Sequence, residues 1–353
     1  NGRTWGEASE WLMHFDAAVG RGRRHFWGGY LDKRTDRLIS MWNEGVLPTD
    51  DPLEGMRQWA MHYAVSEDGG RTELFREQVI HDGDEYDATH HLPGVTKGKN
   101  CVMVGDRGQV PFTRSDGVIL FPVQSTPTGP DGDYHNPGKG FTYTDCMMLK
   151  GVWTDEGRLT WTCSERVIGD PARTTRGLIE PTISELTDGS ILMVMRASND
   201  VMHEWPGHKW MSFSRDGGDT WTEATPWTYE DGEPFFSPSA CSQLVPHSNG
   251  KLYWVGNITG KNPKGNRPRY PIIVGGPVPL VVWNGLLAIL ALTAFAAALE
   301  GHLFAPMPYW QRALAAIATV AVFWPSVPVE AAGAAVIALI IAGNVAAARR
   351  SSS

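Results

Sequence analysis

Residues 66–72, Ser-Glu-Asp-Gly-Gly-Arg-Thr, recur as residues 214–220, Ser-Arg-Asp-Gly-Gly-Asp-Thr, and Trp221 follows the second copy. Residues 1–5, Asn-Gly-Arg-Thr-Trp, fit the last five positions of the pattern, and residues 155–161 form a looser copy with one extra residue. In such a stretch the Asp and Ser side chains hydrogen-bond the turn backbone, and Gly allows a positive φ. Each copy therefore predicts a β-hairpin turn with a structural role.

A second repeated pattern also predicts hairpins. Asp-Gly or Asn-Gly precedes an apolar run at residues 115–120, 187–192 and 248–253, which is the strongest short-range hairpin signal. The copies recur every 61 to 72 residues, and no comparably strong amphipathic helix precedes residue 270. Antiparallel sheets repeated around an axis form a β-propeller, which is the predicted all-β fold. A β-sandwich is the alternative.

The charged residues divide the chain into two parts. Residues 1–270 hold 65 of the 70 Lys, Arg, Asp and Glu residues and carry a net charge of −9, which disfavours nucleic acid as a partner. The remaining residues are almost uncharged. We therefore expect two domains, a β-propeller fragment over residues 1–274 and a hydrophobic helical membrane segment over residues 275–353.

Two apolar regions of the second part are expected to lie in a lipid bilayer. Residues 278–299 form an uncharged run of 22 residues, and a helix of that length spans roughly 33 Å, enough for a hydrocarbon core of about 30 Å. A buried core helix is the alternative. Residues 313–348 are interrupted by two prolines and Glu330, so two short helices meeting near residues 324–330 are expected there rather than one straight span.

The S-x-D-x-G-x-T-W pattern resembles the Asp box, or BNR repeat, of sialidases (neuraminidases). Residues 180–196, which begin with Glu-Pro and end in Arg after a hairpin, resemble the central catalytic hairpin of that family. The resemblance covers about residues 1–274 and implies a six-bladed β-propeller, incomplete here. It also implies an exo-α-sialidase-like glycoside hydrolase whose partners are glycans with terminal sialic acid or a related acidic sugar. No cofactor and no metal are expected.

The hairpin itself predicts a charged pair. If Asp188 and Gly189 occupy the two central turn positions, Glu180 faces Ala197 and Arg196 faces Pro181. The two charges are then neighbours at the open end of the hairpin. Such a pair forms either a structural ion pair or a site that binds an anion beside a carboxylate.

The resemblance gives these residues roles. It implies that Glu180 withdraws the proton of a nucleophilic tyrosine, whose pKa of about 10 would otherwise be too high. Arg196 would bind the substrate carboxylate, because a guanidinium donates two parallel hydrogen bonds to it. Arg269 fits a further carboxylate-binding arginine, and Arg267 remains possible. Alternatively, these two arginines form only a basic patch with nearby lysines.

The chain also departs from the sialidase pattern. The first arginine and the acid/base Asp of the family precede its first Asp box, and the tyrosine follows the last arginine. That tyrosine should lie some tens of residues beyond the arginine, and at that distance the only tyrosine here is Tyr309, whose neighbours do not resemble a propeller strand. We therefore expect the site to be catalytically incomplete and the chain to be inactive as a sialidase.

The tail carries a second resemblance. Residues 276–350 resemble the C-terminal end of fused permeases of TRAP-type (tripartite ATP-independent periplasmic) transporters. The alternative function is therefore a membrane transport component that carries a non-catalytic sugar-binding propeller. The protein is expected to be membrane-associated if the tail is genuine, whereas the sialidase part alone would be exported or periplasmic. The four cysteines are expected to be ordinary buried thiols, and they are Cys101, Cys146, Cys163 and Cys241.

Overall fold

The computed structural model describes residues 14–16, 21–47, 55–106, 108–259, 263, 272–274, 278–323 and 327–351. The chain divides into two compact units, Asn1–Val274 and Gly275–Ser353. The regular secondary structure of the described part of the first unit is almost entirely antiparallel β-strand, as the turn patterns predict, and its one helix there is the single turn α1 (Gly55–Gln58).

The described strands of the first unit form four sheets that follow one another along the chain. The first sheet contains, in spatial order, β1 (His14–Asp16), β2 (Arg21–Asp32), β3 (Arg37–Leu47), β4 (Ala60–Ser66) and β5 (Phe75–Gln78). The second contains β10 (Leu159–Cys163), β9 (Asp145–Trp153), β8 (Ile119–Ser125) and β6 (Val102–Met103), with β7 (Phe112–Thr113) paired to β8.

The third sheet contains β11 (Leu178–Glu185), β12 (Ile191–Ala197), β13 (Lys209–Ser214) and β14 (Thr225–Pro226). The fourth contains β15 (Gln243–Pro246), β16 (Leu252–Asn257) and β17 (Ile272–Val274). Sheets of hairpin-connected strands in sequence order are typical of propeller blades. The six-bladed propeller itself stays a prediction.

Consecutive sheets pack through their apolar faces. Trp27 of the first sheet contacts Phe121 of the second edge to face, with ring centroids 5.0 Å apart. Met195 of the third sheet lies in one buried cluster with Cys146 of the second. The other face of the third sheet shares a cluster with the fourth, which contributes Trp254. The third sheet is therefore covered on both faces, which fixes the position of its strand ends.

The repeated turn of the first pattern is locked by its own side chains. The Ser66 hydroxyl accepts a hydrogen bond from the Gly70 amide at 2.9 Å, and Asp68 Oδ1 accepts one from the Thr72 amide at 2.9 Å. Gly70 has φ +86°, in the left-handed region. Residues 214–220 repeat these contacts. The predicted hairpin turns between β4 and β5 and between β13 and β14 are therefore confirmed.

The hairpin of β11 and β12 has a different turn from the predicted one. The Leu186 amide donates to the Ser190 carbonyl at 2.8 Å, so the loop has three residues, 187–189, rather than two. Gly189 has φ +81°, and a left-handed third residue is typical of a three-residue hairpin loop. The longer loop moves the pairing by one residue.

A β-bulge moves the register by one further residue. Arg196 lies opposite Ile179, whereas Val194 lies opposite Thr182, so the irregularity falls at Glu180 and Pro181. The predicted register, with Glu180 opposite Ala197 and Arg196 opposite Pro181, is therefore wrong. Pro181 has no amide hydrogen to donate to the ladder, which favours a bulge at this place.

The second unit contains, within its described residues, the helices α2 (Val278–Glu300), α3 (Tyr309–Val322) and α4 (Val327–Ser351). The break between α3 and α4 falls where the prolines predict it. However, α4 is longer than expected, because Pro328 fits the first turn of a helix and Glu330 is favourable near its positive end. In the described residues one helix, Pro328–Arg350, is long and apolar enough to cross a membrane, with a mean hydropathy of 2.1.

Candidate functional site

Glu180 and Arg196 form a nearly buried ion pair at the end of β11 and β12. Arg196 Nη1 lies 2.7 Å from both carboxylate oxygens of Glu180. Arg196 Nε donates to the Ser239 hydroxyl at 3.0 Å. The Arg196 side chain is only 5% exposed, and its Nη2 is buried and has no hydrogen-bond partner among the described residues. The guanidinium is therefore held by Glu180 and Ser239, with one of its donors buried and unused.

The bulge brings the two charges to the same side of the sheet. Arg196 is paired with Ile179, so regular alternation would place the next residue, Glu180, on the opposite face. Glu180 instead has φ +50°, a conformation that costs a non-glycine residue about 1–2 kcal/mol. Its amide donates to Gln124 Oε1 at 2.8 Å. This bond to the second sheet and the ion pair hold the strained backbone.

Lys209 lies directly behind the pair. It is opposite Arg196 in the β12–β13 register and is completely buried. Its ammonium donates to the carbonyl of Pro238 at 3.2 Å and to that of Ala240. Burial, together with the smaller effect of the neighbouring Arg196, lowers the pKa of Lys209 to about 7, although Glu180 opposes this shift. The site therefore holds two basic side chains beside one carboxylate, and burial disfavours the charged form of one of them.

Asp106 and Cys241 lie at the rim of this site. Burial of its thiol raises the pKa of Cys241, the Asp106 and Glu180 carboxylates raise it further, and Arg196 opposes them. Asp106 is held by its loop, since its amide donates to Gln109 Oε1 at 2.9 Å and its Oδ1 accepts the Gly108 amide at 2.8 Å. The thiol is therefore placed where it senses the charge of Glu180.

A cavity of about 160 Å³ lies beside the start of β13. The Arg173 guanidinium stacks over the Trp210 ring there, 4.9 Å from the ring centroid, which is within the distance of about 6 Å that a cation–π contact requires. The lining residues are Ala172, Arg173, Trp205, Pro206, His208 and Trp210. His208 directly precedes β13.

The sequence predicted part of this site. The structure brings Glu180 and Arg196 together, whereas Arg269 lies outside the described residues. Sequence reasoning missed five further members of the site, which are Asp106, Gln124, Lys209, Ser239 and Cys241. A lysine that opens an otherwise uncharged strand, Lys-Trp-Met-Ser-Phe-Ser, is the one signal that could have marked any of them.

The cysteines and histidines suggest no metal centre in the described part of the chain. No group of three or more His, Cys, Asp and Glu residues is arranged there to hold a metal ion. The four cysteines are free, and Cys101 and Cys146 are buried as predicted. The same prediction is wrong for Cys241, which is exposed, while Cys163 is half-buried.

No protein-family model matches the sequence, and no curated protein is similar to it. A Dyadobacter fermentans protein of unknown function is similar in structure, with 16% identity over 78% of this chain and 70% of that chain and a TM-score of 0.45. The Hadza microbial sialidase Hz136 has 18% identity over 70% of this chain and 41% of that chain, with a TM-score of 0.43.

The sialidase of Trypanosoma rangeli has 16% identity over 67% of this chain and 35% of that chain, with a TM-score of 0.38. This chain therefore spans less than half of the length of either sialidase. At such identities and TM-scores, these similarities assign no activity to this chain.

Proposed function

We propose that residues 1–274 are a sialidase-type β-propeller fragment whose Glu180–Arg196 site binds the carboxylate of a terminal sialic acid or a related acidic sugar. The observation that supports this is the buried Arg196 guanidinium with Nη2 unpartnered. A buried donor left without a partner costs about 1–3 kcal/mol. A planar carboxylate that accepts from Nη2 would remove that cost and would be bound with a charge-assisted hydrogen bond.

The remaining roles follow from the same proposal. Arg269 is the proposed second arginine on the sugar carboxylate. In a complete glycoside hydrolase of this type, an exo-α-sialidase, the proposed role of Glu180 is to accept the proton of a tyrosine hydroxyl. Because no residue of this chain is assigned as the tyrosine nucleophile or as the acid, the site is proposed to bind sugar without completing hydrolysis.

The binding experiment uses the full chain in detergent and two probes, methyl α-N-acetylneuraminide and its carboxyl methyl ester. We expect the free acid to bind and the ester to bind at least tenfold more weakly, because loss of a charge-assisted hydrogen bond costs about 1.5–3 kcal/mol. Glucuronic acid tests whether another acidic sugar replaces sialic acid. Equal binding of the acid and the ester would exclude a carboxylate site.

The activity experiment measures release of a fluorogenic aglycone from a sialoside, with Glu180→Gln as the control. No turnover is expected, because an unaided base contributes only about 10²–10⁴ in rate. Turnover that the substitution abolishes would show that the nucleophile is present, and Tyr270 would be the first candidate.

We also propose that residues 278–299 and 313–348 lie in a lipid bilayer. Large apolar side chains are exposed on all three helices, with Ile289 and Ile317 65% exposed and Leu339 73% exposed. Such surfaces are unfavourable in water and favourable in hydrocarbon. The protein should stay in the membrane pellet after alkaline carbonate extraction, and its release into the supernatant would contradict this. The transport alternative stays a prediction from the sequence.

A further inference from the structure

We infer that Lys209 is a positioning residue of the Glu180–Arg196 site. Its buried ammonium fixes the backbone of residues 238–240, and this backbone places Ser239 where it orients the Arg196 guanidinium. The inference rests on the proposed function only for its ligand readout. Its structural part concerns the contacts among three side chains and one loop.

The contacts form a short chain from Lys209 to Arg196. The ammonium donates to the carbonyl groups of Pro238 and Ala240, which flank Ser239 on both sides. The Ser239 hydroxyl lies between them and accepts from Arg196 Nε at 3.0 Å. A shift of this loop would therefore remove the hydrogen bond that sets the rotation of the guanidinium.

Other hydrogen bonds also anchor this loop, and those of Ser237 lie on its N-terminal side. The Ser237 amide donates to the Gly207 carbonyl at 3.0 Å, and the Ser237 hydroxyl donates to the Asn257 carbonyl at 2.7 Å. These bonds hold residue 237, and of the two carbonyls on either side of Ser239 that of Pro238 also accepts the Ala240 amide at 2.7 Å and the Ser237 hydroxyl at 3.5 Å, which are donors within the loop itself. Lys209 alone donates to both of these carbonyls among the hydrogen bonds of the described residues.

A lysine is an unfavourable choice if its role is only to fill the core. It is completely buried, and its neighbour across the ladder is the cationic Arg196. An ammonium beside a guanidinium is repulsive and must be desolvated, whereas an apolar side chain of similar length would avoid both costs. A group that donates two hydrogen bonds to the loop accounts for its presence.

The first experiment is independent of any ligand and measures alkylation of Cys241 by iodoacetamide in the full chain. Cys241 follows Ala240 and is exposed, so release of the loop should move its thiol away from the Asp106 and Glu180 carboxylates that raise its pKa, and the thiol should become more reactive. We expect alkylation of Cys241 to be about tenfold faster in Lys209→Met, the effect of losing hydrogen bonds worth about 1–1.5 kcal/mol. Ser212→Ala is the matched control on the same strand, since among the described residues its hydroxyl bonds only to Thr222, and the rate of Cys241 alkylation in this variant should equal that of wild type.

The second experiment measures the affinity for methyl α-N-acetylneuraminide in Lys209→Met, in Ser239→Ala and in the double variant. Residues that act through one chain of contacts are not additive. We expect about a tenfold loss in each single variant and no further loss in the double variant. Fully additive losses would mean that Lys209 does not act through Ser239 and would overturn the inference.

The two readouts separate the inference from the proposed function. If wild type binds no sialoside, the proposed function fails, and the alkylation rate still tests the loop. An unchanged Cys241 rate in Lys209→Met overturns the inference whether or not the sugar binds. If Lys209→Met does not fold, Lys209→Gln, which keeps a donor, is used in the same assays and should show a smaller effect in the same direction.

Discussion

Glu180 contacts Arg196 because a β-bulge separates it from the residue that is paired with Arg196. Ile179 is the partner of Arg196 in the ladder. Glu180 follows Ile179, and its left-handed backbone, with φ +50°, turns its own side chain to the face on which Arg196 lies. The bulge is therefore the local feature that creates the site. Bulges that redirect one side chain are common next to functional sites.

The ion pair should contribute strongly to the stability of the β unit. Glu180→Gln leaves the Arg196 charge buried without its carboxylate, and removal of one partner of such a pair costs about 3–5 kcal/mol. Glu185→Gln, an exposed position on the same strand, is the control. Chemical denaturation followed by tryptophan fluorescence measures the difference, and equal midpoints in the two variants would contradict the prediction.

The arginines should control the affinity for an acidic sugar. Arg196→Ala should weaken the binding of methyl α-N-acetylneuraminide by about 1.5–3 kcal/mol, and Arg269→Ala should do the same if both residues reach one pocket. Arg196→Lys should restore little, because an ammonium lacks the planar fork. Arg215→Ala, in the second repeated turn, is the control. Equal affinity in wild type and the Arg196 and Arg269 variants, measured by calorimetry, would remove both arginines from the site.

The Cys241 thiol should report the charge of Glu180. The Glu180 carboxylate contributes to the raised pKa of Cys241, so Glu180→Gln should lower the pKa of this thiol and increase its thiolate fraction. Because the thiolate is the reactive form, iodoacetamide should alkylate Cys241 faster in this variant at pH 7–8. The pH dependence of the rate gives the pKa directly. A midpoint at the same pH in wild type and Glu180→Gln would place Cys241 away from the carboxylate.

The hairpin turns were predictable because their causes are local. Ser66, Asp68 and Gly70 act on their own turn within five residues, so a short pattern contains all the chemistry. The register of β11 and β12 was not predictable in the same way. A loop of three residues and a bulge at Glu180 each moved the pairing by one, and the second of these depends on Gln124 in another sheet.

The candidate site was predictable only along one hairpin. Glu180 and Arg196 are close in sequence, and a hairpin must bring them close in space. Lys209, Ser239 and Asp106 reach the site from β13 and from two loops, and their positions depend on the packing of successive sheets. In the second unit, composition alone was enough to predict helices, whereas the length of α4 depended on how Pro328 fits a first turn.

Asp145 should make the stability of the β unit depend on pH. Its side chain is 4% exposed, and burial raises its pKa to about 6, while Arg166 at 3.9 Å and the Gly169 amide oppose this rise. The ordinary value is 3.8, so between about pH 4 and pH 6 the folded state binds more protons than the unfolded state. The free energy of unfolding should therefore be highest below pH 4, as far as this group is concerned, and should fall as the pH rises to 6, by up to about 3 kcal/mol. In Asp145→Asn this contribution is absent, so the free energies of unfolding of the variant and of wild type should diverge across that window in favour of the variant.

Asp131→Asn, at an exposed turn, is the control and should follow the wild-type curve. Denaturant titrations at pH 4, 5, 6 and 7 measure the three curves, and a constant difference between Asp145→Asn and wild type at all four values would show that Asp145 does not titrate in this range.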